Sequence, residues 1–466
     1  MKRCGGVERG GLGFGRRFVA IMLLAGASVA SWGATARADG WKAGVATAKV
    51  TPEKSMWMAG YASRKKPSEG TLQDLYVKAL AIEDERGTRL VIVTTDLIGI
   101  PRDLREDLAK EVEARHKLPA AGLMLNASHT HSGPELRIKR VPVDGSPEQV
   151  EARLQLALDY MAGLREKLLG VIDQSLKNLA PAKLDYQHAR CGFAMNRRRP
   201  TPTVPTNAPH SDGPVDHDVP VLRVTAPNGD LRAVLFGYAC HNTTLGFDFF
   251  SGDYAGYAQQ YFEADHPGTT ALFCTGAAGD QNPYPRGKVD LARQHGRSLA
   301  TAIDSALDTV PVPLTGPLRL AYDTVTLDFA PPPSREKLLE LAEGNAEPQK
   351  SHAKRLLAQL AESGKIRDTY SYPVQVIDFG KELRLVALAG ELVVDYSLRL
   401  KKELGTDRKV WVAGYSNDVF GYVPSLRVLN EGGYEGGGAM LWGSLPGPFA
   451  PNVEEKIIGK VHELLK

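Results

Sequence analysis

The chain has 466 residues, 43% hydrophobic and 24% charged, an ordinary globular composition with length enough for a sizeable core in one large domain or in two or three smaller ones. Its formal net charge is +3, but residues 1–38 hold six Lys/Arg against one Glu, which leaves the rest at −2 and gives no global basic field for nucleic acid. Cys191, Cys240 and Cys274 are too few in a chain of this length for a disulfide framework, and they do not have zinc-finger spacing.

Residues 1–38 read as a signal peptide. Lys2, Arg3, Arg9, Arg16 and Arg17 form a basic lead, Phe18 to Gly33 is apolar and small, and Ala36-Arg37-Ala38 fits a cleavage site. No later apolar run is long enough to span a bilayer. The expectation is an exported protein, periplasmic or secreted, that starts at Asp39 and keeps Cys240 and Cys274 as buried thiols.

Trp41 to Pro52 reads as a strand. Val77 to Ile82 and Leu90 to Val93 flank Glu85-Arg86-Gly87 as a hairpin. Its second strand ends on Asp96, expected to cap the helix that starts at Pro101 or to orient a metal ligand. Leu123-Met124-Leu125 is a buried strand running into Asn126-Ala127-Ser128-His129-Thr130-His131-Ser132-Gly133-Pro134. Side chains two apart in an extended segment point the same way, so His129 and His131 are expected to face one cleft. Neutral imidazole is the commonest protein metal ligand.

Residues 147–178 have the periodicity of an amphipathic helix. The basic cluster from Phe193 to Pro200 offers an arginine to clamp a substrate oxygen, and the Pro-rich Thr201–Pro214 reads as a surface loop or lid. A second hairpin, Val219–Val224 and Leu231–Tyr238, delivers His241, and Ser251-Gly252-Asp253 starts a helix. Ala271 to Cys274 is a buried strand leading into the glycines of Gly276 to Pro283. A strand over Leu318–Leu327 and a charged, peripheral helical stretch over 334–362 follow. The hairpin Tyr372–Phe379 and Glu382–Leu388 then ends on Glu391. After a last strand, Val410–Ala413, come Tyr422 and a Gly-rich segment around Tyr434.

Four strand ends thus present metal-competent or proton-active groups: His129/His131, His241, Glu391 and Tyr422. Two or three histidines with one carboxylate is the composition of a catalytic zinc site with an open position. The expected fold is α/β, with mixed β-sheets flanked by helices and the metal site at strand ends.

The ordered motifs point further. Ala43-Gly44-Val45-Ala46 with Val50-Thr51-Pro52 comes first, then Ala127 to Pro134, then Met195-Asn196-Arg197. His241-Asn242-Thr243-Thr244 with Ser251-Gly252-Asp253-Tyr254, Gly279-Asp280 and Gly390-Glu391 follow. Asn417, Gly421-Tyr422-Val423-Pro424 and Tyr434-Glu435-Gly436 close the series. In that order they resemble the catalytic domain of the neutral/alkaline non-lysosomal ceramidase family. The resemblance implies one catalytic Zn²⁺ held by His129, His241, Glu391 and Tyr422, and a substrate site formed by Asn196, Arg197 and Tyr434.

It also implies hydrolysis of the N-acyl amide of ceramide to fatty acid and sphingoid base. Tyr434 or Arg197 would stabilise the oxyanion, His131 would carry a proton to the leaving amine, and Asp96 or Asp253 would orient the histidines. A lipid substrate and transient contact with a membrane surface belong to the same expectation. Residues 39–466 are expected to form the catalytic domain without the family's C-terminal immunoglobulin-like domain. Asn282 stands where the family often has serine, which argues against a serine nucleophile. Glu135 follows Pro134, where it is expected to add charge at the pocket mouth. The competing readings are a zinc amidase of the same fold for another N-acyl substrate and a non-catalytic envelope binding protein. A binuclear hydrolase is disfavoured, because Ser132-Gly133 rather than Asp-His follows His131.

Overall fold

A computed structural model describes residues 40–138, 141, 146–443 and 445–466. The signal peptide expected over 1–38 lies outside the described residues. Among the described residues no helix is long and apolar enough to cross a membrane, and Cys191, Cys240 and Cys274 are free and buried.

Apolar residues on both faces of the strands set the architecture. In the strand Arg89–Thr95, Leu90 and Ile92 point one way, Val91 and Val93 the other, and all four are fully buried. Such strands need a layer on each side. Val91 and Val93 are covered by Leu104 and Leu108 of the helix Arg102–His116 and by Leu164 and Leu168 of the helix Pro147–Lys177. Leu90 and Ile92 meet Ile377, Leu385 and Trp411 of a second sheet. The second sheet runs in the order Leu318–Asp328, Thr369–Phe379, Leu383–Leu388, Lys409–Ala413. Val376, Val386 and Val412 on its outer face pack with Leu400 of the helix Asp395–Leu404 and Ile457 of the helix Val453–Leu464. The result is helices, sheet, sheet, helices, the mixed α/β class expected. Each buried Val, Leu or Ile contributes about 1.5–3 kcal/mol relative to its exposed state.

The larger sheet runs Thr270–Thr275, Leu231–Tyr238, Asp218–Thr225, Ala180–Arg190, Trp41–Lys49, Tyr76–Glu83, Arg89–Thr95, Leu123–Ala127. Its two outermost pairs are parallel and the inner ones antiparallel. The two edge strands are tied together at their ends. Thr275 N donates to Asn126 Oδ1 (2.8 Å), and Thr275 Oγ1 donates to the carbonyl of Ala127 (2.8 Å). The curled sheet therefore brings the chain leaving Ala127 beside the chain leaving Tyr238.

Two expectations are corrected. Thr201–Pro214 is not a structureless loop, because Thr206–His210 pairs antiparallel with Ala194–Arg199. It is an edge strand, which tolerates Pro209, and its short polar sequence has no apolar alternation to reveal it. The stretch 334–362 is helical as expected, as two helices, Arg335–Glu343 and Glu347–Ser363, closed on a small core of Leu338, Ala342, Ala353 and Leu356. Asp96 neither caps a helix nor touches a histidine; it accepts from Tyr76 N (2.9 Å) and Gln259 Nε2 (3.3 Å).

Burial pushes the Asp96 carboxyl up to about 6, against the pull of the Lys78 cation. The folded protein thus holds this proton more tightly than the unfolded chain. The associated stability is full below the unfolded value of 3.8 and is lost as pH rises through about 6. Relative to Asp96→Asn, the wild type is expected to gain about 2 kcal/mol between pH 7 and pH 4. Urea unfolding at both pH values checks this; a difference that stays flat contradicts it.

Candidate metal centre

The alternation argument for His129 and His131 fails in its geometry and holds in its outcome. His129 is left-handed, with φ 60°, a state that costs a non-glycine residue about 1–3 kcal/mol. The turn is held by Ser128 N and His129 N, which donate to the carbonyls of Thr95 (2.8 Å) and Leu97 (3.0 Å) on the neighbouring strand's exit. The two rings still meet edge to face, 4.9 Å apart. His131 N donates to the carbonyl of Asn242 (3.2 Å), and the Asn242 amide donates back to the carbonyl of Ser128, lacing the two histidine segments together. Glu391 and Tyr422 are register partners in a short parallel pair, Glu391–Leu392 with Tyr422–Val423.

Five donor atoms converge. His129 Nε2 lies 3.2 Å from His131 Nε2 and 3.1 Å from Glu391 Oε2. His241 Nε2 lies 3.2 Å from the same carboxylate oxygen and 3.3 Å from the Tyr422 hydroxyl. His129 Nδ1 sits 2.6 Å from the carbonyl of Ile98, and His241 Nδ1 2.6 Å from that of Ala278. A carbonyl only accepts, so each Nδ1 carries a proton, and whenever the ring is neutral its Nε2 presents a lone pair. In the neutral rings two imidazole lone pairs and a carboxylate oxygen face one another, an arrangement that a bound cation makes favourable, and the three histidines form a group able to hold a metal ion.

Charge states agree with this. Burial, with Arg197 nearby, lowers His241 to about 4. Burial and the neighbouring His129 and His241 hold His131 well below its ordinary value. Burial opposes ionisation of Glu391, but His129 and His241 outweigh it and keep the carboxyl well below the usual range. His131 and His241 are therefore neutral, and Glu391 is ionised.

Arg197 is turned toward the site from behind and is fully committed there. Its Nη2 donates to the Tyr422 hydroxyl (2.8 Å), its Nε to Glu435 (2.8 Å) and its Nη1 to Asn282 Oδ1 (3.2 Å). Glu435 is clamped again by Arg198 Nη1 (2.7 Å). Asn196 lies off the cleft wall: its amide donates to Asp280 and to the carbonyl of Pro214, and its oxygen accepts from Arg198 N. The expectation of direct substrate contact is not met by Asn196, because every polar atom it has is spent on the scaffold. Tyr434, 42% exposed, does reach the cleft, with its ring 5.2 Å from that of Tyr422. The cleft is small, about 80 Å³, and is also lined by His129, His131, Glu391, Tyr422 and Trp442.

Two further expectations are corrected. Asp253 bonds Leu245 N (2.8 Å) and Tyr254 N (2.6 Å), so the carbonyls of Ile98 and Ala278, not Asp96 or Asp253, orient the histidines. Glu135 does not charge the mouth; it is buried and paired with Arg137 (2.6 Å), which lines the cleft in its place. Asn282 is wholly engaged with Arg197, Thr243, Asn207 and Tyr284. Sequence reasoning missed two residues. The Tyr415 ring packs 4.6 Å from that of His129. At Gly60 (φ 99°) a Cβ would come within 2.5 Å of the His131 ring. The only signal for Tyr415 was its place just after the last strand; Gly60 had none.

The chain is similar to known proteins over most of this architecture. The family described as neutral/alkaline non-lysosomal ceramidase, N-terminal, matches residues 41–295. A neutral ceramidase of Pseudomonas aeruginosa is 26% identical over 265 residues, 53% of this chain and 38% of that protein. One from Drosophila pseudoobscura pseudoobscura is 24% identical over 260 residues, 52% and 36% of the two chains. The alignments thus span well under half of those relatives' own length. The crystal structure of neutral ceramidase from Pseudomonas aeruginosa superposes with a TM-score of 0.69 at 20% identity, covering 91% of this chain and 74% of that one. That likeness extends the shared fold beyond the stretch matched in sequence. With residues 41–295 carrying all three histidines of the centre, the chain belongs to the neutral/alkaline non-lysosomal ceramidase family.

Proposed function

We propose that the protein is a zinc-dependent amide hydrolase that cleaves the N-acyl bond of ceramide to a fatty acid and a sphingoid base. The observation that carries the reading is the convergence of His129 Nε2, His241 Nε2 and Glu391 Oε2, with the Tyr422 hydroxyl beside them. The separations of His129 and His241 from Glu391 and of His241 from Tyr422, 3.1–3.3 Å, match the edge of a tetrahedron about 3.3 Å long, which zinc–nitrogen distances of about 2.0–2.1 Å require. A single zinc ion would be held by these four residues and, when bound, would supply the Lewis acidity that brings the pKa of water to about 7 and polarises a carbonyl.

The remaining chemistry falls to the chain's own groups. His131 Nδ1 is buried and has no hydrogen-bond partner among the described residues. Unlike His129 and His241, this ring is not committed to a backbone carbonyl, so it is free to take a proton and pass it to the departing amine. Tyr434, on the cleft wall, is the donor we assign to the developing oxyanion. Arg197 acts one step back by holding the Tyr422 phenol, and Asn196 holds the strand that carries Arg197.

In this reading residues 1–38 are an export signal, and 39–466 form the catalytic domain of a periplasmic or secreted enzyme. Its exposed Tyr434 and Trp442 meet a lipid surface transiently.

Release of fatty acid from a short-chain ceramide tests the reading, measured before chelation, after it, and after zinc re-addition. Turnover is expected to fall to background on chelation and to return with one zinc per chain. Turnover unaffected by chelation overturns the metal assignment. Stoichiometric zinc without turnover overturns the substrate.

A further inference from the structure

The cleft at the metal centre adjoins a second, more apolar groove. The two share Ile98, Arg137, Val419, Phe420, Trp442 and Gly443 as walls. Beyond them the groove is walled by Leu136, Ile138 and Met161, side chains suited to a hydrocarbon chain and to nothing polar. Its charges are distributed unevenly. Arg102 is paired with Asp418 (2.6 Å) and Arg137 with Glu135 (2.6 Å). The Asp103 carboxylate accepts from Leu104 N (3.0 Å) at the start of its helix. Arg355, from the helix Glu347–Ser363, donates to the carbonyl of Leu441 (2.6 Å), next to Trp442, and no carboxylate among the described residues pairs with it. A guanidinium that bonds one carbonyl keeps donors in a planar fork for an anion.

We propose that this groove is a specificity site for an anionic single-chain amphiphile. Its hydrocarbon chain lies against Leu136, Ile138, Met161 and Trp442, and its charge is met by Arg355. Resting on the amidase reading, this makes an N-acyl substrate with an anionic group a better substrate than an uncharged one of the same chain length. Apolar walls adjoining the metal cleft set the chain's path, and Arg355 selects the charge.

Two measurements test this. On metal-free protein, quenching of Trp442 fluorescence is titrated with dodecanoate, dodecyl phosphate and dodecanol, with Trp442→Phe as the blank. The anions are expected to bind at least tenfold more tightly than the alcohol, and their order tells whether carboxylate or phosphate is preferred. Arg355→Ala and Arg355→Glu are expected to abolish the difference, and Arg355→Lys to keep part of it. On zinc-loaded protein, N-dodecanoylglycine is compared with N-dodecanoylethanolamine. The carboxylate is expected to lower KM about tenfold relative to the neutral amide in the wild type and not in Arg355→Ala. Equal binding of anion and alcohol, or a preference that survives Arg355→Glu, overturns the proposal. If no amide is hydrolysed, the amidase reading fails and the titration alone decides the groove.

Discussion

Zinc content and amide hydrolysis are expected to disappear together in His241→Ala. The residue is fully buried, its Nδ1 is pinned by the carbonyl of Ala278, and its Nε2 stands between Glu391 and Tyr422. Removing the ring would take away one of the four proposed ligands and leave a buried carboxylate short of a partner. Losing an outer-shell partner of a ligand typically costs 10–100-fold in metal affinity or activity. Loss of a ligand is expected to exceed this, lowering zinc affinity more than about 100-fold. Hydrolysis is then limited to whatever residual zinc remains. Metal analysis of the dialysed variant and kcat/KM on a short-chain ceramide measure both. A variant that keeps one zinc and activity within tenfold of wild type would sink the ligand assignment.

His131→Ala should behave differently, although its Nε2 lies only 3.2 Å from that of His129. If the ring moves protons and does not bind metal, the variant keeps one zinc per chain while kcat drops about 10²–10⁴-fold, the usual worth of a general acid–base group. Gly60→Ala gives an independent version of the same experiment. The added methyl would meet the His131 ring at 2.5 Å on a backbone that already has positive φ. It should therefore misplace the ring, keep the zinc and lower kcat with little change in KM. Loss of zinc in His131→Ala would instead make it a third histidine ligand and leave the proton transfer unassigned.

How much of this was legible in the sequence follows from where each residue gets its position. His129, His241 and Glu391 were visible because each follows an apolar run, and a strand buried on both faces has to end in something polar. Tyr422 was visible as a proton-active group in the segment that follows the last strand, Val410–Ala413, and the ordered motifs then implied its place at the metal. The left-handed turn at His129 was not, because it depends on carbonyls of Thr95 and Leu97, and backbone carbonyls carry no sequence signature. The same holds for Ile98 and Ala278, which orient the two histidines in place of the aspartates expected to do so. Asn196 and Arg197 read alike as polar residues near a cleft. Register separates them, since neighbours on a strand face opposite ways: Arg197 reaches Tyr422 and Asn196 reaches Asp280. The tie from Asn126 to Thr275, which closes the sheet, spans 149 residues of chain, too far for any local pattern to report.

That tie has a consequence for when the centre comes into being. The stretch with the histidines ends well before Glu391, and the pairing of His241 with Glu391 spans 150 residues. The Asn126 side chain also reaches forward to the carbonyl of Gly414, across 288 residues. Contacts of such sequence separation form late and slowly, because the loop entropy comes first. A chain growing from its N-terminus would hold three imidazoles and no counter-charge until the second sheet docks on the first. Tight metal capture is then a timestamp on folding. It registers the moment the two halves become one body, and a protein whose halves part again would be expected to release its ion before it loses its helices.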